Sequence, residues 1–239
     1  LLGGEADLAV HSMKDMEVHF APHTEIGAVL AREDRRDALV GAYRSLDELP
    51  KAACVGTASV RRAAILLYHR PDLQVKLIRG NINRRLGLLE HGEFDAIILA
   101  VAGIKRLDLG VTYSPIDPAI MPSAVAQGAL AVQICTPFDD RSAAVKDVVS
   151  ALTCPKALAE VTAERALLAC LDGSCQTPIA GSARLNNDQM LVLDGMILST
   201  DGQASHRMQM DAPVGDAEAL GKAVGTKLLE MAGGRSFLA

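Results

Sequence analysis

Between residues 53 and 107 short apolar runs alternate with helical segments, and this alternation constrains the fold more than any other feature of the chain. Residues 53–56 read as a brief strand, and Ser59 is placed to N-cap a helix running to about His69. Residues 75–78 read as a second strand, followed by a helix over 82–91 that stops at Gly92. Residues 95–100 (DAIILA) make a continuous apolar strand, and a short helix after it carries Lys105 and Arg106. Strands joined through helices in this way imply a mostly parallel sheet covered on both faces.

Strands are also expected over 6–12, 25–31 and 129–134, a Pro-rich loop over 113–122, and a helix over 141–152. Pro155 breaks the chain and marks a domain boundary. Beyond it the pattern becomes a helix over 156–171, a turn at 172–175, strands at 179–185, 190–198 and 206–210, and a closing helix over 216–231. That order describes a small α+β domain with an antiparallel three-stranded sheet. A length of 239 residues fits two or three compact domains. The chain opens Leu-Leu-Gly-Gly-Glu and enters a strand almost at once, so earlier elements of the fold are expected to lie outside it.

No apolar run is long enough to span a bilayer and no cationic segment precedes an apolar one at the start, which makes a cytoplasmic location the default. The five cysteines are odd in number and include no C-x-x-C pair, a pattern that argues against a zinc site and against a disulfide framework. No metal is expected. Net charge is −5, yet residues 61–106 hold nine Lys/Arg against four Asp/Glu. A basic island in an acidic chain suggests a local site for a small anion rather than a broad polyanion-binding face.

In open parallel sheets, ligands collect beyond the carboxyl ends of the strands. Lys14 and Asp15 follow the first strand, and Thr57, Ser59, Arg61 and Arg62 follow the one at 53–56. Arg79 and then Arg84 and Arg85 follow the strand at 75–78, and Lys105 and Arg106 follow DAIILA. Any one of these arginines could be a solvated helix face; their recurrence at strand ends points to a site. Guanidinium forks bind carboxylates bidentately and helix N-termini add N–H donors, so the expected ligand is a small molecule with several carboxylates.

The motifs at these positions resemble those of the porphobilinogen deaminases (hydroxymethylbilane synthases). AVHSMKD (9–15) is similar to the family's catalytic-aspartate motif. VGTASVRR (55–62), LIRGNINRRL (77–86), DAIILAVAGIKRL (95–107) and AVAQGAL (124–130) match successive blocks in order, and ERALLACLDGSCQTPIAG (164–181) resembles the cofactor-attachment region. The resemblance covers essentially the whole chain. It implies two α/β domains of the type II periplasmic-binding-protein kind, the first incomplete, plus the small C-terminal α+β domain. Domain 1 would comprise residues 1–31 and 128–152, domain 2 residues 36–123 and domain 3 residues 155–239. The chain would cross between the first two near 32–36 and 123–128.

The family joins four porphobilinogens head to tail with loss of ammonia, on a covalent dipyrromethane primer, and then releases hydroxymethylbilane by hydrolysis. The resemblance implies that the primer is held by a thioether to Cys175. Loss of ammonia gives an azafulvenium cation, which a fixed carboxylate stabilises; Asp15 is the residue implied. Cys175 would act once as a thiolate nucleophile during cofactor assembly. Arg61, Arg62, Arg79, Arg85 and Arg106 are implied to bind acetate and propionate side chains, helped by Ser12, Lys14, Thr57, Ser59 and Gln127. His11 reads as a packed strand residue. A monomer acting on porphobilinogen, with neither nucleic acid nor membrane as partner, is implied.

Three departures stand out: an early strand with its arginine turn that is expected to lie outside the given sequence, Arg84 and Ala126 where the family usually has Thr and Gly, and Ser174 in place of a frequent Gly. Ala126 carries a cost only if its backbone needs a positive φ. The alternative reading is a non-catalytic small-anion-binding protein of periplasmic-binding type, which explains the basic rim but neither Cys175 nor the third domain. A nucleic-acid module is disfavoured because the three Tyr and four Phe do not interleave with the arginines.

Overall fold

A computed structural model describes residues 1–136, 139–174 and 176–238. Eleven strands and six α-helices appear among them, in three sheets. The central sheet contains β3 (Asp37–Gly41), β4 (Cys54–Thr57), β5 (Gln74–Leu77), β6 (Ala96–Ala100) and β7 (Tyr113–Pro115) in the order β5-β4-β6-β3-β7. β4 runs parallel to β5 and β6, whereas β3 pairs antiparallel with both β6 and β7.

Alternation along β3 and β6 explains how this sheet buries both faces. Leu39, Ala96 and Ile98 join one apolar cluster with Val55, Ile65 and Leu66 of α1 (Val60–His69). Ala38, Val40, Ile97 and Leu99 join another, against which Ile82, Leu86 and Leu89 of α2 (Ile82–Glu90) pack. Side chains two apart share a face, so every second residue belongs to the same cluster. α3 (Val101–Arg106) follows β6 directly.

Two strands depart from the sequence expectation. β3 was not assigned from the sequence, and β7 lies inside the stretch read as a loop. Pro115 is tolerated in β7 because that strand is the sheet's edge, where a missing N–H costs no ladder bond.

The second sheet joins β1 (Leu8–Ser12), β2 (Thr24–Val29) and β8 (Leu130–Cys135) antiparallel in the order β1-β8-β2. α4 (Asp140–Ser150) covers one face, where Val149 meets Ala28, Val132 and Ile134. On the other face, Met13, Val29 and Ala131 meet Ala157 and Val161 of α5 (Pro155–Cys170).

The third sheet is the expected meander: β9 (Ile179–Leu185), β10 (Met190–Leu198) and β11 (Ser205–Pro213) in the order β11-β10-β9. α5 and α6 (Ala217–Met231) pack over it through Leu167, Leu220, Val224 and Leu228. Their close approach depends on Gly221, where a Cβ would collide with the Ala163 carbonyl. Ala180, Met196 and Leu198 extend from this unit into the core of the central sheet, and α5 packs on the second sheet through Ala157 and Val161.

Candidate active site

A cleft of about 880 Å³ opens where the three units meet, a volume at the upper end of the roughly 300–1,000 Å³ typical of small-molecule sites. Lys14, Asp15, Glu17 and His19 line one side, from the turn after β1 and the segment beyond it. Ser59, Arg61, Arg62 and Arg85 line a second side, at the N-terminal ends of α1 and α2. Gln127 contributes from the chain between β7 and β8, and Asp172, Gly173, Ser174, Gln176 and Thr177 from the loop after α5. Cys175 lies outside the described residues.

Local structure explains why these groups converge. Ser59 caps α1 by accepting from the Arg62 N–H at 3.4 Å, and Asn81 caps α2 through the Arg84 N–H at 3.0 Å. Each cap starts its helix at the end of a parallel strand, so Arg61, Arg62 and Arg85 sit in the first turns beside the crevice. The Thr57 hydroxyl accepts from the Ser59 N–H at 3.1 Å and steadies the same turn from a buried position. Lys14 and Asp15 belong to a single 3-10 turn, Met13–Asp15, whose Met13 is sunk in the core and whose Asp15 is exposed.

Arg61 and Arg62 are nearly inaccessible, and both pair with the wholly buried Asp37 at the start of β3. Asp37 Oδ2 accepts from Arg61 at 2.7 Å, and Oδ1 accepts from Arg62 at 2.6 and 3.0 Å and from the Gln127 amide at 2.9 Å. Burial alone would raise the Asp37 pKa; Arg61 and Arg62, with the Gln127 bond, pull it down to about 2. One carboxylate thus serves two guanidiniums, leaving a positive balance. Arg61 Nε has no hydrogen-bond partner among the described residues, although it is fully enclosed.

Burial, followed by repulsion from Arg62, lowers the Lys14 pKa to about 8, with Asp15 opposing the shift. Burial and the same Arg62 charge also depress Arg85, whose Nε donates to the Gly80 carbonyl at 2.8 Å. Lys14, Arg61, Arg62 and Arg85 form a cationic cluster on a cleft whose lining also carries Asp15, Glu17 and Asp172, and the repulsion felt by Lys14 and Arg85 favours an anion beside them.

Not every expected residue reaches the cleft. Ser12 ends β1 just before the Met13–Asp15 turn, Thr57 acts from behind through Ser59, Arg79 is exposed, and Arg106 donates to the Gly128 carbonyl at 2.7 Å; none of the four lines the cavity. His11 Nε2 is enclosed without a partner among the described residues.

Several residues at the site were not read from the sequence. Asp37 is one. Others form an ionic clasp: Glu164 accepts from Arg32 at 2.7 and 3.0 Å and from the main-chain N–H groups of Ala126 and Ala183 at 2.6 and 2.7 Å. Glu160 accepts from Arg35 at 2.5 Å, and Arg35 also donates to the Ala183 carbonyl. Burial works to lower the Arg32 pKa, but Glu164 and Glu160 together hold it above the ordinary arginine value. The i,i+4 spacing of Glu160 and Glu164 on α5 was the available signal, but it looks the same on a solvated helix face. Ala126, held by this clasp, adopts φ +58°, so its backbone does occupy the left-handed region.

The cleft suits a dipyrromethane. Two pyrroles with an acetate and a propionate each present four carboxylates, and the cavity offers Lys14, Arg62 and Arg85, with the charge of buried Arg61 behind them. Among the described residues no cluster of His, Cys, Asp and Glu could hold a metal ion, and no helix is long and apolar enough to cross a membrane.

Comparison with known proteins bears directly on this site. The family described as "Porphobilinogen deaminase, dipyromethane cofactor binding domain" matches residues 1–144, and "Porphobilinogen deaminase, C-terminal domain" matches residues 158–230. A relative named porphobilinogen deaminase, from Maridesulfovibrio salexigens, is 40% identical over 241 residues, covering 100% of this chain and 76% of its own length. Among solved structures, an amino acid ABC transporter substrate-binding protein from Streptococcus pneumoniae bound to L-arginine aligns over 63% of each chain, with 18% identity and a TM-score of 0.37. YhfZ from Shigella flexneri aligns over 69% of each chain, with 20% identity and a TM-score of 0.36. Those two likenesses are too distant to carry weight, and the sequence matches decide the matter. The chain belongs to the porphobilinogen deaminase family, transferases of tetrapyrrole biosynthesis that condense porphobilinogen on a dipyrromethane cofactor.

Proposed function

We propose that the cleft is the site of this condensation, with Asp15 as the catalytic carboxylate and Cys175 as the thioether anchor of the cofactor. The observation that carries the proposal is the meeting, in one cavity, of the Asp15 turn, the cationic starts of α1 and α2, and the loop residues on either side of Cys175. In this reading Lys14, Arg62 and Arg85 hold carboxylates directly, and buried Arg61 adds its charge from behind. Ser59 and Thr57 order the α1 turn, Ser12 leads into the Lys14–Asp15 turn, and Gln127 orders Asp37. Exposed Arg79 and Arg106 extend the cationic surface beyond the cavity for carboxylates of a longer chain. When bound, the dipyrromethane would supply the free pyrrole carbon to which the first unit is joined, and each later unit would add to the free pyrrole end of the growing chain. Asp15 stabilises the positive charge that develops on the substrate pyrrole as ammonia leaves, and accepts a proton at its carboxylate.

The same reading assigns residues 1–31 and 128–152 to one domain, 36–123 to a second and 155–239 to a third. It also makes the protein a cytoplasmic monomer that acts on a small molecule and not on nucleic acid. Asp15→Asn tests the catalytic assignment, because it keeps the shape and removes the charge. Cofactor content should stay at the wild-type level while kcat falls by about 10²-fold or more, the range for losing an electrostatic stabiliser. An Asp15→Asn enzyme with more than about a third of wild-type kcat would show that the carboxylate has no part in the chemistry.

A further inference from the structure

Arg165 on α5 has no carboxylate partner among the described residues, and its half-buried guanidinium points away from the Glu160–Glu164 clasp. It reaches the segment that follows the Asp15 turn. Nη2 donates to the carbonyls of Glu17 at 2.7 Å and Val18 at 3.0 Å, and the guanidinium carbon lies 4.9 Å from the centre of the Phe20 ring. Glu17, Val18 and His19 line the cleft, and so do Leu168 and Ala169 one turn further along α5. The guanidinium therefore ties one wall of the cavity to the helix that leads into the opposite wall.

The geometry suits this task. Nη2 serves both carbonyls while the delocalised guanidinium lies over the Phe20 ring, a flat contact that a lysine ammonium would not reproduce. Burial costs Arg165 part of its hydration, and that cost is met only by main-chain oxygens and a ring. Residues 17–21 contain no regular helix or strand, whereas Met16 before them packs with Met13 against the core. Arg165 ties Glu17, Val18 and Phe20 to α5.

We propose that Arg165 is a positioning residue for the reaction: by clamping residues 17–20 to α5 it fixes the turn that presents Lys14 and Asp15 to the cleft. This rests on the assignment of Asp15 above. The clamp acts on geometry at the carboxylate and leaves Arg61, Arg62 and Arg85 in place, so its loss should lower kcat more than it raises KM.

The test combines hydrogen–deuterium exchange with steady-state kinetics on Arg165→Met and Arg165→Lys. In Arg165→Met, amides of residues 14–21 should exchange at least about tenfold faster, with unchanged exchange in β9–β11, and kcat should fall about tenfold with KM within about threefold. Arg165→Lys should lie between the two. Phe20→Leu, which removes the ring but not the guanidinium, should loosen the same peptide to a smaller degree. It decides the matter if Arg165→Met loses protection throughout the chain. Unchanged exchange over 14–21, or faster exchange there with unaltered kcat, would overturn the proposal. If the wild-type protein itself fails to turn over porphobilinogen, the functional reading fails, while the exchange data still report whether the clamp exists.

Discussion

Glu164→Gln replaces one oxygen by an amide nitrogen inside a fully enclosed ionic cluster, and the structure fixes what that exchange removes. Glu164 Oε1 accepts from Arg32 Nη1 and the Ala183 N–H, and Oε2 accepts from Arg32 Nη2 and the Ala126 N–H. An amide offers one acceptor oxygen, so in either orientation its nitrogen faces two donors and two of the four bonds are lost. Arg32 then keeps only Glu160 Oε2, at 3.5 Å, as a charged partner. Hydrogen bonds to charged groups contribute about 1.5–3 kcal/mol each, and breaking a buried pair from one side costs about 3–5 kcal/mol. These figures describe overlapping effects, so the expected loss is about 3–5 kcal/mol rather than their sum. Urea unfolding followed by circular dichroism should show the midpoint falling by about 1–2 M at a typical slope. The double variant Arg32→Met/Glu164→Gln should lose less than the two single changes together, because no unpaired charge remains. A midpoint within about 0.3 M of wild type for Glu164→Gln would refute the reasoning, because a clasp of that strength cannot lose half its bonds unnoticed.

Two further outcomes follow from the charged groups of the cleft. Asp37→Asn should destabilise the protein by about 3–5 kcal/mol at pH 7, since Arg61 and Arg62 lose their shared counter-charge. The folded-state pKa of Asp37 is depressed, so its contribution is present above the ordinary value of 3.8 and is lost as pH falls towards about 2. Melting temperatures of wild type and variant should therefore converge across that interval, and a constant gap would contradict the assignment. Lys14 is charged below about 8 and loses its proton above it in the ligand-free site, so KM for porphobilinogen should climb as pH passes about 8. Lys14→Arg should flatten that limb because a guanidinium stays charged, and an unchanged profile would remove Lys14 from carboxylate binding.

Much of the architecture was legible because local rules and global packing agree. The Ser59 cap, the 82–90 helix and the meander of β9 to β11 lie within a residue or a few of their expected places. β3 was missed because its apolar run of three residues, Ala38–Val40 between Asp37 and Gly41, is too short to show a periodicity. β7 was missed because proline outweighs β propensity in any local reading, and only its place at a sheet edge makes it acceptable.

The arginines at strand ends were legible as a group. What the sequence concealed was how their charges are divided, because a buried carboxylate such as Asp37 and a solvated one are written with the same letter. Arg61 and Arg62 were expected to face a ligand, yet each spends most of its donors on Asp37, Pro122 and Ile98. The clasp of Arg32, Arg35, Glu160 and Glu164 spans up to 132 positions in sequence, and no local pattern can report it. The positive φ at Ala126 was foreseen as a condition and could be decided only from the backbone.

The central claim is that this cleft holds a dipyrromethane anchored at Cys175, and peptide mapping tests it most directly. The purified gene product carrying this sequence is weighed intact, then digested and mapped across residues 164–184. The account predicts a mass excess equal to one dipyrromethane, located on Cys175 and absent from Cys175→Ser. An unmodified Cys175 in a protein that nevertheless turns over porphobilinogen would contradict it, as would the same adduct on any of the other four cysteines.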